Sequence, residues 1–298
     1  MWKQYFTPSK LSDALQLMEQ YHDRVHIIAG GTDLVLDFLS KKYSSVEALI
    51  DISSIPKLKN IALEKGVISS GAAVTFSEII NSDVLKSHAA VLVDAARQIA
   101  GPQIRNIATI GGNVVNASPA ADTVPALLVL GSMVSITSYK REFREVPLSE
   151  FLLGNRKVAL QTGEIVTGFH FPLPDQRTGF HFRKVQPRRS MAIAILNLAI
   201  LLRVEVNRIV DVRIAIGAVA PTAVRVKTVE KELINLPVKF AANPKLYAGV
   251  NQDIAPISDF RASRKYRLCV AQNLLHEAIV GLLDLSEEGS SEEKHHEA

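Results

Sequence analysis

Two short segments place consecutive glycines where a chain can wrap an anion. They are Ile28-Ala29-Gly30-Gly31-Thr32-Asp33-Leu34 and Ala108-Thr109-Ile110-Gly111-Gly112-Asn113. In each, an apolar stretch that reads as a strand runs into the glycine pair and then meets a small polar residue. Glycine admits positive φ and lets the backbone approach a ligand with no Cβ in the way. Successive N–H groups then converge on an anion as a nest, and Thr32, Thr109 and Asn113 add hydroxyl or amide hydrogen bonds. Two such loops would clasp a pyrophosphate from both sides. Taken singly, each double glycine is more simply a tight turn. Neither is a G-x-G-x-x-G fingerprint or a phosphate-binding P-loop, so the familiar dinucleotide and triphosphate folds are not indicated.

Beyond the second segment, Asn116-Ala117-Ser118-Pro119-Ala120-Ala121-Asp122-Thr123 leads into an apolar helix from Val124 to Leu130. Asp122 either caps that helix or accepts hydrogen bonds from a ribose or an amine. Other chemistries are poorly served. No acid–base pair stands out, and the eight histidines show no H-E-x-x-H spacing. His170 and His181 read as structural. The single cysteine, Cys269, excludes an internal disulfide and a zinc or iron–sulfur site ligated by this chain's cysteines alone.

The elements that must hold these loops follow from periodicity. Leu11, Ala14, Leu15 and Met18 fall at helical spacing within Lys10–Tyr21. Short strands are expected at Val25–Ala29 and Val46–Ile52, and a hairpin at Asn60–Leu63 and Gly66–Ser70. Helices follow at Phe76–Leu85 and His88–Ala100, the second stopped by Gly101-Pro102. Strands at Met133–Tyr139 and Glu164–Phe171, with a hairpin to Val146 between them, complete a first region, and Pro172 and Pro174 mark its end. A second region carries strands at Phe180–Val185, Met191–Val204 and Ile209–Val219, then helices at Ala223–Leu233 and Arg264–Leu283. Segregated strands and helices indicate α+β architecture in both halves.

With 298 residues, 47% of them hydrophobic and 21% charged, the chain has ordinary globular composition and length for one large or two modest domains. Residues 284–298 hold six acidic residues and one lysine, so −5 of charge sits in an acidic tail expected to be disordered, and the remainder carries +9 within the net +4. A basic body is either a solvated surface or one with affinity for phosphorylated cofactors or an acidic partner. No compact Lys/Arg cluster interleaved with aromatics points to nucleic acid. No apolar stretch is long enough to span a bilayer, and no secretory signal opens the sequence. A cytoplasmic location is therefore expected.

Taken in order, these segments resemble the medium, FAD-binding subunits of molybdenum hydroxylases of the xanthine dehydrogenase and carbon monoxide dehydrogenase type. Ala29-Gly30-Gly31-Thr32-Asp33-Leu34 is similar to that family's first flavin loop. Gly101-Pro102-Gln103-Ile104-Arg105-Asn106-Ile107-Ala108-Thr109-Ile110-Gly111-Gly112-Asn113 resembles its most specific signature, continued by Ala117-Ser118-Pro119-Ala120-Ala121-Asp122. Phe182-Arg183-Lys184, Arg188-Arg189-Ser190-Met191-Ala192-Ile193-Ala194, Gly217-Ala218-Val219-Ala220-Pro221-Thr222 and Asp259-Phe260-Arg261-Ala262-Ser263 extend the likeness over nearly the whole chain.

The resemblance implies an FAD-binding domain of the vanillyl-alcohol oxidase (PCMH) type over residues 1–175, in two lobes of about 1–55 and 56–175. A smaller α+β domain over 176–283 would follow. Ala29–Leu34 and Thr109–Asn113 would hold the pyrophosphate and ribityl chain, Asp122 would lie near the adenosine or ribityl hydroxyls, and Ile28, Ala108 and Ser118 would also be cofactor-binding. Val166 would pack near the flavin, and Lys184 would approach the ring, where a positive charge favours the reduced, anionic form. No histidine or cysteine lies between Ala29 and Phe38, so the FAD is expected to be non-covalent. The implied function is electron transfer: a molybdenum-cofactor subunit oxidises the substrate, a 2Fe–2S subunit relays electrons, and this chain's flavin passes them to NAD+ or another acceptor. The implied assembly is heteromeric, a dimer of heterotrimers, and no metal is expected on this chain. A stand-alone flavin oxidoreductase of the same fold is the alternative, and an anion-binding or assembly protein without flavin is a more distant one.

Overall fold

The computed structural model describes residues 2–43, 46–139, 143–188 and 191–293. Arg189 and Ser190 of the second-region motif, part of the hairpin turn after Tyr139, and residues 294–298 of the tail lie outside them. The chain forms two compact units, and their boundary is not a single point in the sequence. The first comprises residues 1–87, 96–118 and 131–173; the second comprises 88–95, 119–130 and 174–298.

The first unit opens with a three-stranded parallel sheet in the order β1 (Gln4–Phe6), β3 (Ala48–Asp51), β2 (Val25–Ile28). The central strand reads Ala48-Leu49-Ile50 with all three side chains fully buried, as expected of a parallel strand covered on both faces. Helix α1 (Leu11–Tyr21) turns Ala14, Leu15 and Met18 inward at helical spacing. Burying Leu15 and Met18 contributes about 2 kcal/mol each before entropy is counted. Chain leaving the carboxyl end of β2 forms residues 29–33 and then a short helix, α2 (Leu34–Leu39).

A five-stranded antiparallel sheet completes this unit, ordered β4 (Ile61–Glu64), β5 (Val67–Gly71), β10 (Glu164–Pro172), β6 (Met133–Ser138), β7 (Phe143–Pro147). Strand β10 bulges between Val166 and Gly168 where it pairs with β6, a distortion that redirects a side chain. Short helices α3 (Phe76–Asn81), α6 (Pro102–Arg105), α7 (Ile110–Asn116) and α9 (Leu148–Phe151), and a small hairpin of β8 (Leu152–Gly154) and β9 (Lys157–Val158), lie along the chain between the strands.

In the second unit, β11 (Thr178–Val185), β12 (Leu196–Glu205), β13 (Arg208–Gly217) and β14 (Val224–Arg225) form an antiparallel sheet in that order. Every residue of α8 (Thr123–Val129) is buried, which its largely apolar sequence permits. Helices α10 (Lys227–Leu233), α11 (Val250–Asp253) and α12 (Arg264–Glu293) cover a core that includes Leu198, Ile200, Ile214, Leu275 and Ile279.

Several elements differ from the periodicity reading, and the strand expected from Met191 begins only at Leu196. The helix expected over Phe76–Leu85 is two, α3 and α4 (Asp83–His88). Ser82 between them is extended, and its hydroxyl accepts from Leu85 N at 3.3 Å, the backbone competition typical of serine. The next helix, α5, is shorter than expected at Ala90–Arg97. Helix α10 starts at Lys227 because Val224 and Arg225 pair with β13 instead. Helix α12 runs past the expected end at Leu283 to Glu293, so most of the acidic segment expected to be disordered is helical. Among the described residues, no helix is long and apolar enough to cross a membrane.

Candidate functional site

A cavity of about 530 Å³ opens in the first unit, and both glycine segments line it. Ile28–Leu34 form one wall. Ala108, Thr109, Gly111, Gly112 and Asn113 form another, and Val166 contributes from the bulge of β10. Of the expected site residues, Ile110, Ser118, Asp122 and Lys184 are not on its walls. The side chain of Ile110 is fully buried in the core.

The two glycine pairs are built differently. Gly31 has φ +69°, the left-handed conformation that a side chain strains. Among the described residues, no acceptor takes the N–H of Gly30, Gly31, Thr32 or Asp33. Those donors stand at the cavity wall beside the start of α2. The second pair does not follow a strand, contrary to the expectation from sequence, but lies in the first turn of α7. Its N–H groups are already engaged: Ile110 with Val74 O at 3.0 Å, Gly111 with Ala72 O at 2.9 Å, and Gly112 with the Thr109 hydroxyl at 3.1 Å. Thr109 is thus the N-cap of α7, an interaction that stabilises a helix by about 1 kcal/mol.

Steric constraints separate the glycines further. A Cβ on Gly30 would drive into the Ile107 carbonyl, so its absence lets the two loops touch. A Cβ on Gly111 would sit 2.5 Å from Ala72 O. At Gly112 the nearest atom is the Thr109 hydroxyl, 3.1 Å away, and the residue is exposed to the cavity. Gly30 and Gly111 serve packing within the protein, whereas Gly112, on the cavity wall, has only the Thr109 hydroxyl close by.

Supporting groups explain other residues of the signature run. Arg105 Nη1 donates to Ile99 O at 2.8 Å and to the Arg97 and Ala100 carbonyls at 3.2 Å, fixing the turn whose Ile99 and Ala100 line the cavity. Thr75, in a capping box with Glu78, forms a β-bridge with Thr109 and holds the second loop in place.

Asp122, Lys184 and Asn197 form a buried cluster of the second unit. Lys184 Nζ lies 2.7 Å from Asp122 Oδ2, and Asn197 Nδ2 donates to Asp122 Oδ1 at 2.9 Å. Asp122 makes no side-chain cap to α8, since its oxygens are taken by these partners. Burial pushes its carboxyl above the usual range, against the pull of Lys184 and Asn197. Removing one member of such a pair costs about 3–5 kcal/mol, because the other charge is left buried and uncompensated.

A polar group not anticipated from the sequence lies on the cavity wall, made by His26, Asp37, Lys42, Asn116 and Arg156. Lys42 Nζ lies 2.8 Å from Asp37 Oδ2, and Arg156 Nη1 lies 3.4 Å from the same oxygen and 2.8 Å from Asn116 Oδ1. The hydrogen bond from Lys42 is the main cause holding the Asp37 carboxyl below its ordinary range. Burial, helped by Lys42, holds His26 below its ordinary value, and its ring packs against Tyr43 with centroids 4.4 Å apart. Glu164 also lines the cavity, but its carboxylate is held by Arg144 at 2.7 Å through two nitrogens. Among the described residues, no group of three or more His, Cys, Asp or Glu side chains could hold a metal ion.

A cavity of this size falls within the range of organic-ligand sites. Open N–H groups on one wall and a glycine without steric obstruction on the other suit a long ligand with an anionic middle, and FAD has that form. The matching family models describe the same ligand. The FAD binding domain in molybdopterin dehydrogenase matches residues 2–174, and the CO dehydrogenase flavoprotein C-terminal domain matches 181–281. The chain is 33% identical over 277 residues to the xanthine dehydrogenase FAD-binding subunit of Escherichia coli O157:H7, covering 92% of this chain and 94% of that one. It is 30% identical to the nicotinate dehydrogenase FAD-subunit of Eubacterium barkeri, covering 97% and 99%. Among solved structures, carbon monoxide dehydrogenase from Hydrogenophaga pseudoflava, in a form lacking the Mo-pyranopterin moiety, aligns with a TM-score of 0.87 at 26% identity over 93% of this chain and 96% of that one. The chain belongs to the FAD-binding subunits of molybdenum hydroxylases of the xanthine dehydrogenase and carbon monoxide dehydrogenase type.

Proposed function

We propose that this chain holds FAD non-covalently in the cavity of its first unit and serves as the flavin station of a heteromeric molybdenum hydroxylase. It takes electrons from a 2Fe–2S subunit and passes them to NAD+ or another acceptor, while a molybdenum-cofactor subunit oxidises the organic substrate. The observation that carries the reading is the row of unengaged N–H groups at Gly30–Asp33, residues that line the same cavity as Gly112.

The chain's own contribution is binding and orientation. Gly30–Asp33 present donors to the diphosphate, and Gly112 and Asn113 admit the backbone of the cofactor. Ile28, Ile165 and Val166 supply apolar wall. When bound, the flavin supplies the redox chemistry and can exchange electrons singly or in pairs. Ser118, Asp122 and Lys184 are assigned to the cofactor by the family pattern alone. The mutual pairing of Asp122 and Lys184 equally supports a folding role. His26 lies on the cavity wall, so the non-covalent assignment is open to a direct test.

An absorbance spectrum of the purified chain, before and after FAD addition and removal of excess, tests the proposal. Flavin bands are expected, with all flavin released as free FAD on acid denaturation. Flavin that stays with the denatured chain would overturn the non-covalent assignment. No flavin, even on the chain purified with its native partners, would overturn the whole reading.

A further inference from the structure

The polar group made by Asp37, Lys42, Asn116 and Arg156 stands apart from both glycine motifs, yet it ties the elements that follow them together. Asp37 lies four residues after Asp33, and Asp37 N donates to Asp33 O at 3.0 Å. Asn116 lies four residues after Gly112 on α7. Residues so spaced stack on one face about 5–6 Å apart. Arg156 joins the two helices from the hairpin of β8 and β9. Its backbone N–H donates to Ala117 O at 2.9 Å, and its φ is +55°, a left-handed turn position. The side chain then reaches across to Asn116 and to Asp37, 119 residues away in sequence.

The charges in this group do not balance. Two cations, Lys42 and Arg156, share the single carboxylate of Asp37. Among the described residues, Nε and Nη2 of Arg156 donate no hydrogen bond. Ion pairs whose cations are close to half exposed, as Lys42 and Arg156 are, stabilise a fold by about 1 kcal/mol or less, so these pairs alone give the fold little reason to bring three elements together here. All four residues line the cavity, and Asp37 and Asn116 each lie one helical turn beyond the loops assigned to the diphosphate.

We propose that Lys42 and Arg156 form a cationic clasp that binds the diphosphate of the flavin dinucleotide, with Asp37 and Asn116 positioning the two cations. The clasp rests on the FAD reading and adds binding residues that neither glycine motif contains. Charge-assisted hydrogen bonds to phosphate are the strong kind. Each cation should therefore contribute about tenfold to affinity.

The test is FAD titration of the flavin-free full chain, followed by flavin fluorescence at low and high ionic strength. It compares the wild type with Lys42→Gln, Arg156→Gln, the double variant and Arg156→Lys. Each Gln variant should weaken FAD binding about tenfold, and the double variant about a hundredfold. The salt dependence of Kd should flatten with each cation removed and persist in Arg156→Lys. Thermal unfolding of the flavin-free variants should match the wild type, because both side chains are close to half exposed. Gln variants with wild-type Kd and wild-type salt dependence would overturn the clasp and leave the FAD reading standing. Weakened binding that is insensitive to salt, or that follows a drop in the flavin-free melting temperature, would also overturn it in favour of a structural role. A wild-type chain that takes up no FAD, alone or purified with its partners, would overturn both.

Discussion

The two glycine segments appear interchangeable in sequence, yet they present opposite faces to the cavity. At Gly30-Gly31 the backbone turns through positive φ and leaves four successive N–H groups without an acceptor among the described residues. At Gly111-Gly112 the backbone is helical, and its donors are consumed by Ala72, Val74 and Thr109. The first segment keeps donors to spare for a negatively charged group. The other is built as a splint, with one open position at Gly112. A glycine pair therefore does not identify an anion site. What identifies it is whether the protein itself uses the N–H groups the glycines bring together.

Substitutions along the two segments can break or sharpen this distinction. The largest effect is expected at Gly111, where any side chain meets the Ala72 carbonyl. Gly111→Val should destabilise the first unit by about 3 kcal/mol or more, read as a fall in melting temperature of the flavin-free chain. A normal melting temperature would show that the splint yields easily. Thr109→Val removes the α7 cap and should cost about 1 kcal/mol, again without FAD present. Gly31→Ala forces a side chain into positive φ and should cost a similar amount, while also weakening FAD binding by distorting the open donors. Gly112→Ala should leave stability nearly unchanged and weaken FAD binding about tenfold, since the added methyl faces the ligand space. An equal loss of stability at Gly112 and Gly111 would erase the contrast between them.

The smallest effect concerns pH. The folded-state pKa of His26 lies below its ordinary value because of burial and Lys42. Its contribution to stability is complete above about pH 6.5 and is lost as pH falls from there towards the folded value, because the unfolded state binds the proton more readily. Stability of the flavin-free chain, measured from mildly acidic to neutral pH, should fall on the acid side, and His26→Gln should flatten that slope. An unchanged slope would assign the acid sensitivity elsewhere.

Much of the fold is legible in the sequence because its signals are local. Leu11, Ala14, Leu15 and Met18 announce α1, and the turn residues Glu64-Lys65-Gly66 announce the β4–β5 hairpin. The glycine segment at Gly111-Gly112 misleads, because a seven-residue helix containing two glycines carries little helical periodicity. A short apolar run such as Ile107-Ala108 is likewise ambiguous between strand and helix. With Thr109 taken as an N-cap, Asn116 falls on the same face as Gly112. Lys42 and Arg156 offer no such signal. Both have the form of ordinary surface charges, and only the folded chain brings Arg156 to Asp37. Asp122 and Lys184 are singled out by family likeness, but no local pattern shows that they pair with each other across 62 residues.

Amide hydrogen exchange, resolved by residue and measured with and without FAD, tests the contrast between the loops most directly. Gly30, Gly31, Thr32 and Asp33 are expected to exchange quickly in the flavin-free chain and to be strongly slowed by FAD. Ile110, Gly111 and Gly112 should exchange slowly in both states and change little. Protection by FAD confined to Ile110–Gly112, with Gly30–Asp33 unaffected, would contradict the assignment of the first segment as the receptor for the diphosphate.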